Sequence, residues 1–190
     1  MFLATTEDAN ALLQAEPLAV LIGMLLDQQI PMEKAFTSPA VLKERLGGTL
    51  DAATIAGTDP EALEELFRRP PALHRFPAAM AKRVQTLAQM LVDEYDGRAE
   101  NVWSGAKTGA ELVRRVGTLP GFGEQKAKIF TALLGKQFGV RPKGWREAAG
   151  AYGDDGATRS VADVVDTASL QRVRAFKKEQ KAAAKAGSGN

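Results

Sequence analysis

The chain has 190 residues, of which 45% are hydrophobic, and a formal net charge of +2 from 25 basic and 23 acidic residues. This length and apolar fraction are typical of a folded globule with a core of its own, which excludes a disordered chain. The absence of cysteine excludes disulfides, thiolate nucleophiles, cysteine-held iron–sulfur clusters and Cys-type zinc sites, and with His74 as the single histidine we expect neither a metal nor another cofactor.

Hydropathy and local charge bear on a membrane segment, a leader sequence and a charged surface. The longest apolar stretch, Pro17 to Leu26, is about half as long as a membrane span needs to be, and the first residues lack a basic start and a cleavage site. We therefore expect a cytoplasmic protein with no membrane partner. The stretch Arg172 to Lys185 carries six basic residues against one acid, Glu179. It predicts either a positive field at one edge of the molecule or an ordinary solvated helix.

Helical patterns dominate the sequence, and the near absence of alternating β-branched runs predicts an all-α fold. Apolar spacing over Pro17 to Leu26, with a proline in the first turn, predicts a helix at the centre of the core. Pro31 and Pro39 each predict the first turn of a short helix. The pair Asp59-Pro60 predicts an N-cap followed by a helix.

The strongest helical pattern runs from Pro77 to Tyr95, where apolar residues recur every three or four positions. Further helices are predicted over Gly109 to Arg115, Glu124 to Phe138 and Ser169 to Lys185. The chain between Gly139 and Asp155 reads as irregular, and residues 187–190 read as a disordered tail.

The loop Leu119-Pro120-Gly121-Phe122-Gly123 joins two predicted helices. Its glycines permit positive φ and expose backbone amides at the start of the next helix, where the helix dipole favours an anion. Lys126 and Lys128 add positive charge in the following turns. The pattern favours a contact with DNA phosphates that does not read sequence. The alternative is a tight turn in which Leu119 and Phe122 serve only as core residues.

The segment Leu119 to Gly139, LPGFGEQKAKIFTALLGKQFG, resembles the hairpin and following helix of the helix-hairpin-helix (HhH-GPD) DNA glycosylase superfamily, which includes endonuclease III. The likeness includes Pro17 to Phe36 and the helix Pro77 to Tyr95, and covers most of residues 17–140. It implies a two-lobed all-α fold with duplex DNA and a flipped base in the cleft between the lobes. The protein expected from this likeness is a monomer associated with the nucleoid. It also implies one unit over residues 1–186, with 1–30 and about 140–186 in one lobe and about 31–139 in the other.

Gln29, and with it Gln28, matches the position of the family's glutamine that enters the gap left by the extruded base. The alternative is that both residues cap the preceding helix. The family's Schiff-base lysine position, six residues after Leu119, is Gln125, which cannot form an imine, so lyase activity is not expected. Lys126 lies about 100° further round the helix and is interpreted as a phosphate or solvent contact. We count Gln125, Lys126 and Lys128 among the expected DNA contacts.

The position of the family's catalytic aspartate falls on Lys143, whose charge would repel the positive charge that develops on the sugar. Asp154 and Asp155, in a glycine-flanked loop, and Asp27, at the end of the buried helix, are the candidate replacements. Two functions follow. One is a monofunctional N-glycosylase, a hydrolase of base excision repair; the other is a non-catalytic module of the same fold that binds damaged duplex DNA.

Three aromatic residues, Trp103, Trp145 and Tyr152, are predicted to lie in the core, although Trp145 and Tyr152 could instead stack on a base. His74 lies in a proline-rich loop between helices. It is interpreted as a surface residue or, with Arg75, as a DNA contact.

Overall fold

The computed structural model describes residues 1–187, and within them the chain forms eleven α-helices and no strand, which confirms the all-α prediction. Two 3₁₀ helices, Gly150–Tyr152 and Val161–Asp163, lie between the last two α-helices. No single helix in this range is long and apolar enough to cross a membrane. The α-helices are α1 Glu7–Ala15, α2 Pro17–Leu26, α3 Met32–Arg45, α4 Ala52–Gly57, α5 Pro60–Arg68, α6 Pro77–Tyr95, α7 Asn101–Ser104, α8 Gly109–Gly117, α9 Glu124–Gln137, α10 Trp145–Ala149 and α11 Thr167–Gly187.

Helix α2 lies at the centre of the core, as predicted. Every residue from Leu18 to Leu26 is buried, and the helix packs against α1, α3 and α6. Gly23 permits the close approach of α3, because a Cβ atom there would lie 2.6 Å from Cδ1 of Phe36. Each fully buried leucine of such a helix stabilises the fold by about 1.5–3 kcal/mol.

Helix boundaries follow local capping chemistry at several of the predicted positions. The Asp59 carboxylate caps α5, since its Oδ1 accepts from the amides of Glu61 and Ala62 at 3.0 Å each. Helix α6 has the predicted bounds, and its C-cap residue, Asp96, adopts the left-handed conformation with φ 55°. The final helix begins at Thr167 and extends to Gly187, so Gly187 does not belong to a tail. Residues 188–190, the rest of the predicted tail, lie outside the described residues.

Pro39 does not begin a second short helix as predicted; it is buried inside α3. A proline in a helix interior removes one hydrogen bond and costs about 3 kcal/mol. Neighbouring hydroxyls add bonds of their own: Thr37 donates to the carbonyl of Glu33 at 2.6 Å, and the Ser38 hydroxyl lies 2.8 Å from the carbonyl of Lys34 and 2.9 Å from that of Leu73. Tertiary packing therefore outweighs the local helix-breaking signal.

Helices α8 and α9 form the hairpin pair; both pack against α10, and α9 also packs against the 3₁₀ helix Val161–Asp163. Gly135 admits the Trp145 ring, because a Cβ there would lie 2.4 Å from ring atom Cε3. Lys136 and Asp163, both largely buried, join the same elements by an ion pair of 2.6 Å. The hairpin helices thus pack with the C-terminal segment, which the expected lobe division places in the other lobe.

Candidate nucleic-acid interface

The hairpin loop has an apolar inner side and an exposed backbone. Leu119 and Phe122 are buried, and the Phe122 ring meets Phe130 edge-on, with ring centroids 5.8 Å apart. The Phe122 amide donates to the carbonyl of Leu119 at 3.0 Å, which closes the turn. Gly121 is exposed with φ 83°, a conformation that favours glycine. The loop therefore combines the two alternatives from the sequence: its apolar side chains serve the core while its glycine backbone faces outward.

Helix α9 starts without a side-chain cap. Gly123 is its N-cap residue, with φ −81° and ψ 177°, and is exposed. Within the described part of the chain, the amides of Gly123, Glu124 and Gln125 donate to no protein acceptor. A Cβ atom at Gly123 would meet nothing within 4 Å, so the approach to these amides is open. Free amides at the positive end of a helix dipole form a binding site for an anion.

Lys128 is paired within its own helix. Its ammonium group donates to the Glu124 carboxylate at 2.6 Å, one helical turn away. This contact holds the pKa of Glu124 below its ordinary value. The expected contribution of Lys128 to a phosphate site is therefore offset by an acid at the same helix end. An exposed pair of this type is weak, so an incoming phosphate can compete for the lysine.

Lys126 differs from its expected role as a phosphate or solvent contact. Its ammonium group points inward to the C-terminal end of α2, where it donates to the carbonyls of Met24 at 2.8 Å, Leu25 at 3.2 Å and Asp27 at 3.4 Å. Burial lowers the pKa of Lys126 to about 8, and the charge of Asp27 opposes that change. Lys126 joins the hairpin helix to the end of α2, because it satisfies carbonyls that a helix end leaves free.

The two glutamines after α2 have different environments. Gln28 donates from Nε2 to the carbonyl of Leu25 at 2.8 Å and accepts from Arg83 at 3.1 Å, so it caps the helix. Gln29 is exposed and has φ 56°, one of two positive values among the non-glycine residues described. Of the pair, Gln29 is the one whose amide is available to a partner molecule.

His74 is buried, at 1% exposure, so the prediction that it lies at the surface was wrong. Its Nε2 lies 2.9 Å from the carbonyl of Gln28, and its Nδ1 accepts from the amide of Phe76 at 3.1 Å. These two bonds fit the neutral ring with its proton on Nε2. Burial lowers the pKa of His74. The ring therefore ties the Gln28–Gln29 loop to the loop that precedes α6.

An exposed aromatic residue in that second loop was missed by the sequence analysis. Phe76 is 42% exposed, and the guanidinium of Arg75 lies 4.8 Å from the centre of its ring. A large exposed apolar ring beside a cation is suited to stacking on a nucleic-acid base. The signal available in the sequence was the run of prolines around Phe76, which predicts an exposed loop.

The three candidate acids are not equivalent. Asp154 and Asp155 are both exposed, and Asp155 pairs with Arg146 at 2.6 Å. Asp27 ends α2, is half-buried, and lies close enough to Lys126 and Lys177 for their charges to act on it. Burial raises the pKa of the Asp27 carboxyl, and those two lysines oppose the rise. Of the three candidates, Asp27 is the one that directly precedes Gln28 and whose carboxyl interacts with the charge of Lys126.

Lys143, at the position of the family aspartate, is exposed. Its carbonyl accepts from the amide of Gly109 at 2.8 Å, and this bond fixes the loop against α8.

Among residues 1–187, no three His, Asp or Glu side chains lie together where they could hold a metal ion.

Gln125, at the family's lysine position, donates from Nε2 to the Tyr152 hydroxyl at 2.8 Å. Tyr152 is half-buried and belongs to the 3₁₀ helix Gly150–Tyr152, so it lies beside the start of α9 and not deep in the core. Trp103 and Trp145 are buried, as the core prediction for both requires.

Residues 22–188 match the family described as HhH-GPD superfamily base excision DNA repair protein. The match spans the end of α2, the hairpin and the C-terminal helix. The chain belongs to this superfamily. Membership agrees with the all-α fold and makes the protein a base excision DNA repair protein. Comparisons with curated proteins and with solved structures found no match.

Proposed function

We propose that this HhH-GPD protein binds duplex DNA through its hairpin, extrudes one base, and hydrolyses the N-glycosidic bond of that base as a monofunctional glycosylase. The observation that carries the proposal is the set of free amides at the start of α9. They lie behind an exposed glycine backbone, in a hairpin that packs against the end of α2, where Gln29 is exposed.

The grip on DNA is proposed to depend on the backbone. The amides of Gly123, Glu124 and Gln125 are oriented by the helix and can donate to one phosphate. Contacts of this type hold a duplex in place without reading sequence, and they weaken as salt rises. A repair protein that searches undamaged DNA for rare lesions needs such a contact.

Two loops are proposed to act where a base leaves the stack. Gln29 offers a planar amide that can fill the gap and bond the unpaired partner base, and the Phe76 ring can stack on a neighbouring base. His74 joins the two loops through its bonds to Gln28 and Phe76, so they keep a fixed spacing. A fixed spacing matters because an extruded base leaves a gap of one nucleotide.

Asp27 is proposed as the carboxylate of the hydrolysis. A carboxylate near the sugar stabilises the positive charge that develops at C1′ and can accept a proton from the attacking water. A raised pKa makes the Asp27 carboxylate a better proton acceptor than an ordinary aspartate. Gln125 and the inward-facing Lys126 provide no free amine, which supports hydrolysis without strand cleavage.

A specific observation favours the second candidate, a damage-binding module without catalysis. Lys143 and not an acid occupies the family aspartate position, and its side chain is exposed. If Asp27 is only a helix-terminal residue, the protein retains its DNA-binding hairpin and the two loops that act at the extruded base, but it lacks a carboxylate for hydrolysis of the N-glycosidic bond.

A base-release screen separates the two candidates. Duplexes that each contain one uracil, hypoxanthine, alkylated purine, 8-oxoguanine or A:G mismatch are incubated with the protein and treated with alkali to cleave abasic sites. The glycosylase predicts release from at least one duplex, lost in Asp27→Asn and kept in Asp155→Asn, the matched change at an exposed acid. Tight binding to damaged duplexes without release from any of them would favour the non-catalytic module.

A further inference from the structure

A pocket of about 320 Å³ lies beside the hairpin helix, between the start of α9, the 3₁₀ helix Gly150–Tyr152 and α11. Its volume falls within the range of sites for small organic groups, about 300–1,000 Å³. Gln125, which occupies the family's lysine position, forms part of its wall. Under the proposed function, this pocket is adjacent to the reacting sugar.

Two aromatic rings from different elements line the pocket. Tyr152 comes from the 3₁₀ helix and Phe176 from α11, and both are half-buried. Flat aromatic surfaces are the usual stacking partners of a base outside the duplex. Gln125 uses its Nε2 on the Tyr152 hydroxyl, which leaves its Oε1 and the amide of Gln180 to meet polar groups of a guest.

The charge of the pocket is positive. Arg159 and Lys177 line it, and the Arg159 guanidinium lies 5.2 Å from the centre of the Phe176 ring. None of the described lining residues is acidic; Asp27, whose carboxyl interacts with the charge of Lys177, lies outside the lining. Lysine and arginine are donors without acceptor atoms, so they bond carbonyl oxygens and repel cations.

We propose that this pocket receives an extruded base that is neutral or anionic and rich in carbonyl oxygens, and that it excludes bases made cationic by ring alkylation. This inference rests on the proposed function and specifies its substrate class. Oxidised and deaminated bases present the required oxygens. A purine alkylated at N7 carries a positive charge and would lose water contacts beside two protein cations.

The same charge would favour departure of the base. In the hydrolysis the bond between C1′ and the base nitrogen breaks, and the base leaves with the electron pair. Water adds its oxygen to C1′ and gives up one proton, which ends on the departing base. Positive groups around a base that becomes negative stabilise the transition state. A cationic base leaves as a neutral molecule, so these positive groups do not stabilise its departure.

Binding to duplexes that resist hydrolysis tests the substrate class without activity as the readout. Each duplex carries one nucleotide with a 2′-fluorinated sugar and either 8-oxoguanine or 7-methylguanine, two purines of similar size that differ in charge. A third duplex carries a tetrahydrofuran abasic analogue. We expect the protein to bind the 8-oxoguanine duplex about tenfold more tightly than the 7-methylguanine duplex, from the repulsion of one charge at a partly solvated site.

Charge reversal in the pocket provides the internal test. Lys177→Glu should reduce or invert the preference, whereas Lys178→Glu, the same change at the adjacent exposed lysine that does not line the pocket, should leave it unchanged. Equal binding of the two damaged duplexes, or a preference unaffected by Lys177→Glu, would overturn the substrate class while the grip on DNA stands. If the protein bound none of the three duplexes, both the proposed function and this inference would be overturned.

Discussion

Replacing Gly123 with aspartate should stabilise the protein and weaken its binding to DNA. Gly123 already has the extended backbone of an N-cap residue, and a new side chain there would meet nothing within 4 Å. An aspartate could therefore bond the free amides of α9 without strain. Relative to glycine, the cap and the favourable dipole contact together contribute about 0.5–1 kcal/mol, which raises the Tm of a domain of this size by about 1–4 °C.

The same carboxylate would occupy the amides that are proposed to hold a phosphate. One negative charge at hydrogen-bond distance from that site should reduce duplex affinity at least about tenfold at low salt. The slope of log K against log salt should become shallower by about one unit, because the variant adds one negative charge to the DNA interface. Fluorescence anisotropy with a labelled duplex measures both quantities, and thermal melting measures stability.

Two controls separate the local effect from net charge. Gly123→Ser supplies a cap without charge, and Ala53→Asp adds the same charge at an exposed position in the first turn of α4, which packs on α6. Ala53→Asp should bind DNA nearly as the wild type does. A Gly123→Asp protein that melts higher but binds with the wild-type affinity and salt slope would refute the assignment of these amides to phosphate.

Three further predictions follow from individual contacts. Glu124→Gln should increase duplex affinity a few-fold at low salt, because it removes a negative charge beside the phosphate site and releases Lys128, and unchanged affinity would count against that site. Borohydride treatment with an abasic-site duplex should trap no covalent adduct, because Lys126 is held by carbonyls of α2; an adduct that disappears in Lys126→Met would show that this lysine reaches the sugar. The free energy of unfolding should fall as pH drops below 6.5, the ordinary pKa of histidine, because the unfolded chain binds a proton that buried His74 resists. That stability is fully present above pH 6.5, and a His74→Gln variant with the same slope from pH 6.5 to 5 would contradict the reasoning.

The sequence predicted much of the helical framework because the signals are local. Helix α6 and the N-cap at Asp59 follow from spacing and capping within a few residues. Pro39 shows the limit of such reasoning, since the helix through it is buried and the neighbouring Ser38 hydroxyl bonds the distant carbonyl of Leu73. The short helices α1, α4, α7 and α10 were not predicted; short segments of this kind depend on tertiary packing more than on propensity.

The hairpin and its glycines were recognisable from the sequence, but the directions of individual side chains were not. Lys126 was interpreted as a phosphate or solvent contact from its position about 100° round the helix from Gln125, and only the proximity of α9 to the end of α2 brings carbonyl groups within its reach. The burial of His74 could not be predicted locally, because one of its two partners, Gln28, is 46 residues away in the sequence. The pocket between α9 and α11 likewise depends on long-range contacts that no local pattern encodes.

A nuclear magnetic resonance titration tests most directly whether the hairpin backbone binds DNA. Amide resonances of the 20.3 kDa protein are followed as an abasic-analogue duplex is added at low salt. We expect the largest shifts at the amides of Gly121, Gly123, Glu124 and Gln125, with further shifts at Gln29 and Phe76. Saturable binding that leaves the hairpin amides unshifted, or no binding at all, would contradict this expectation.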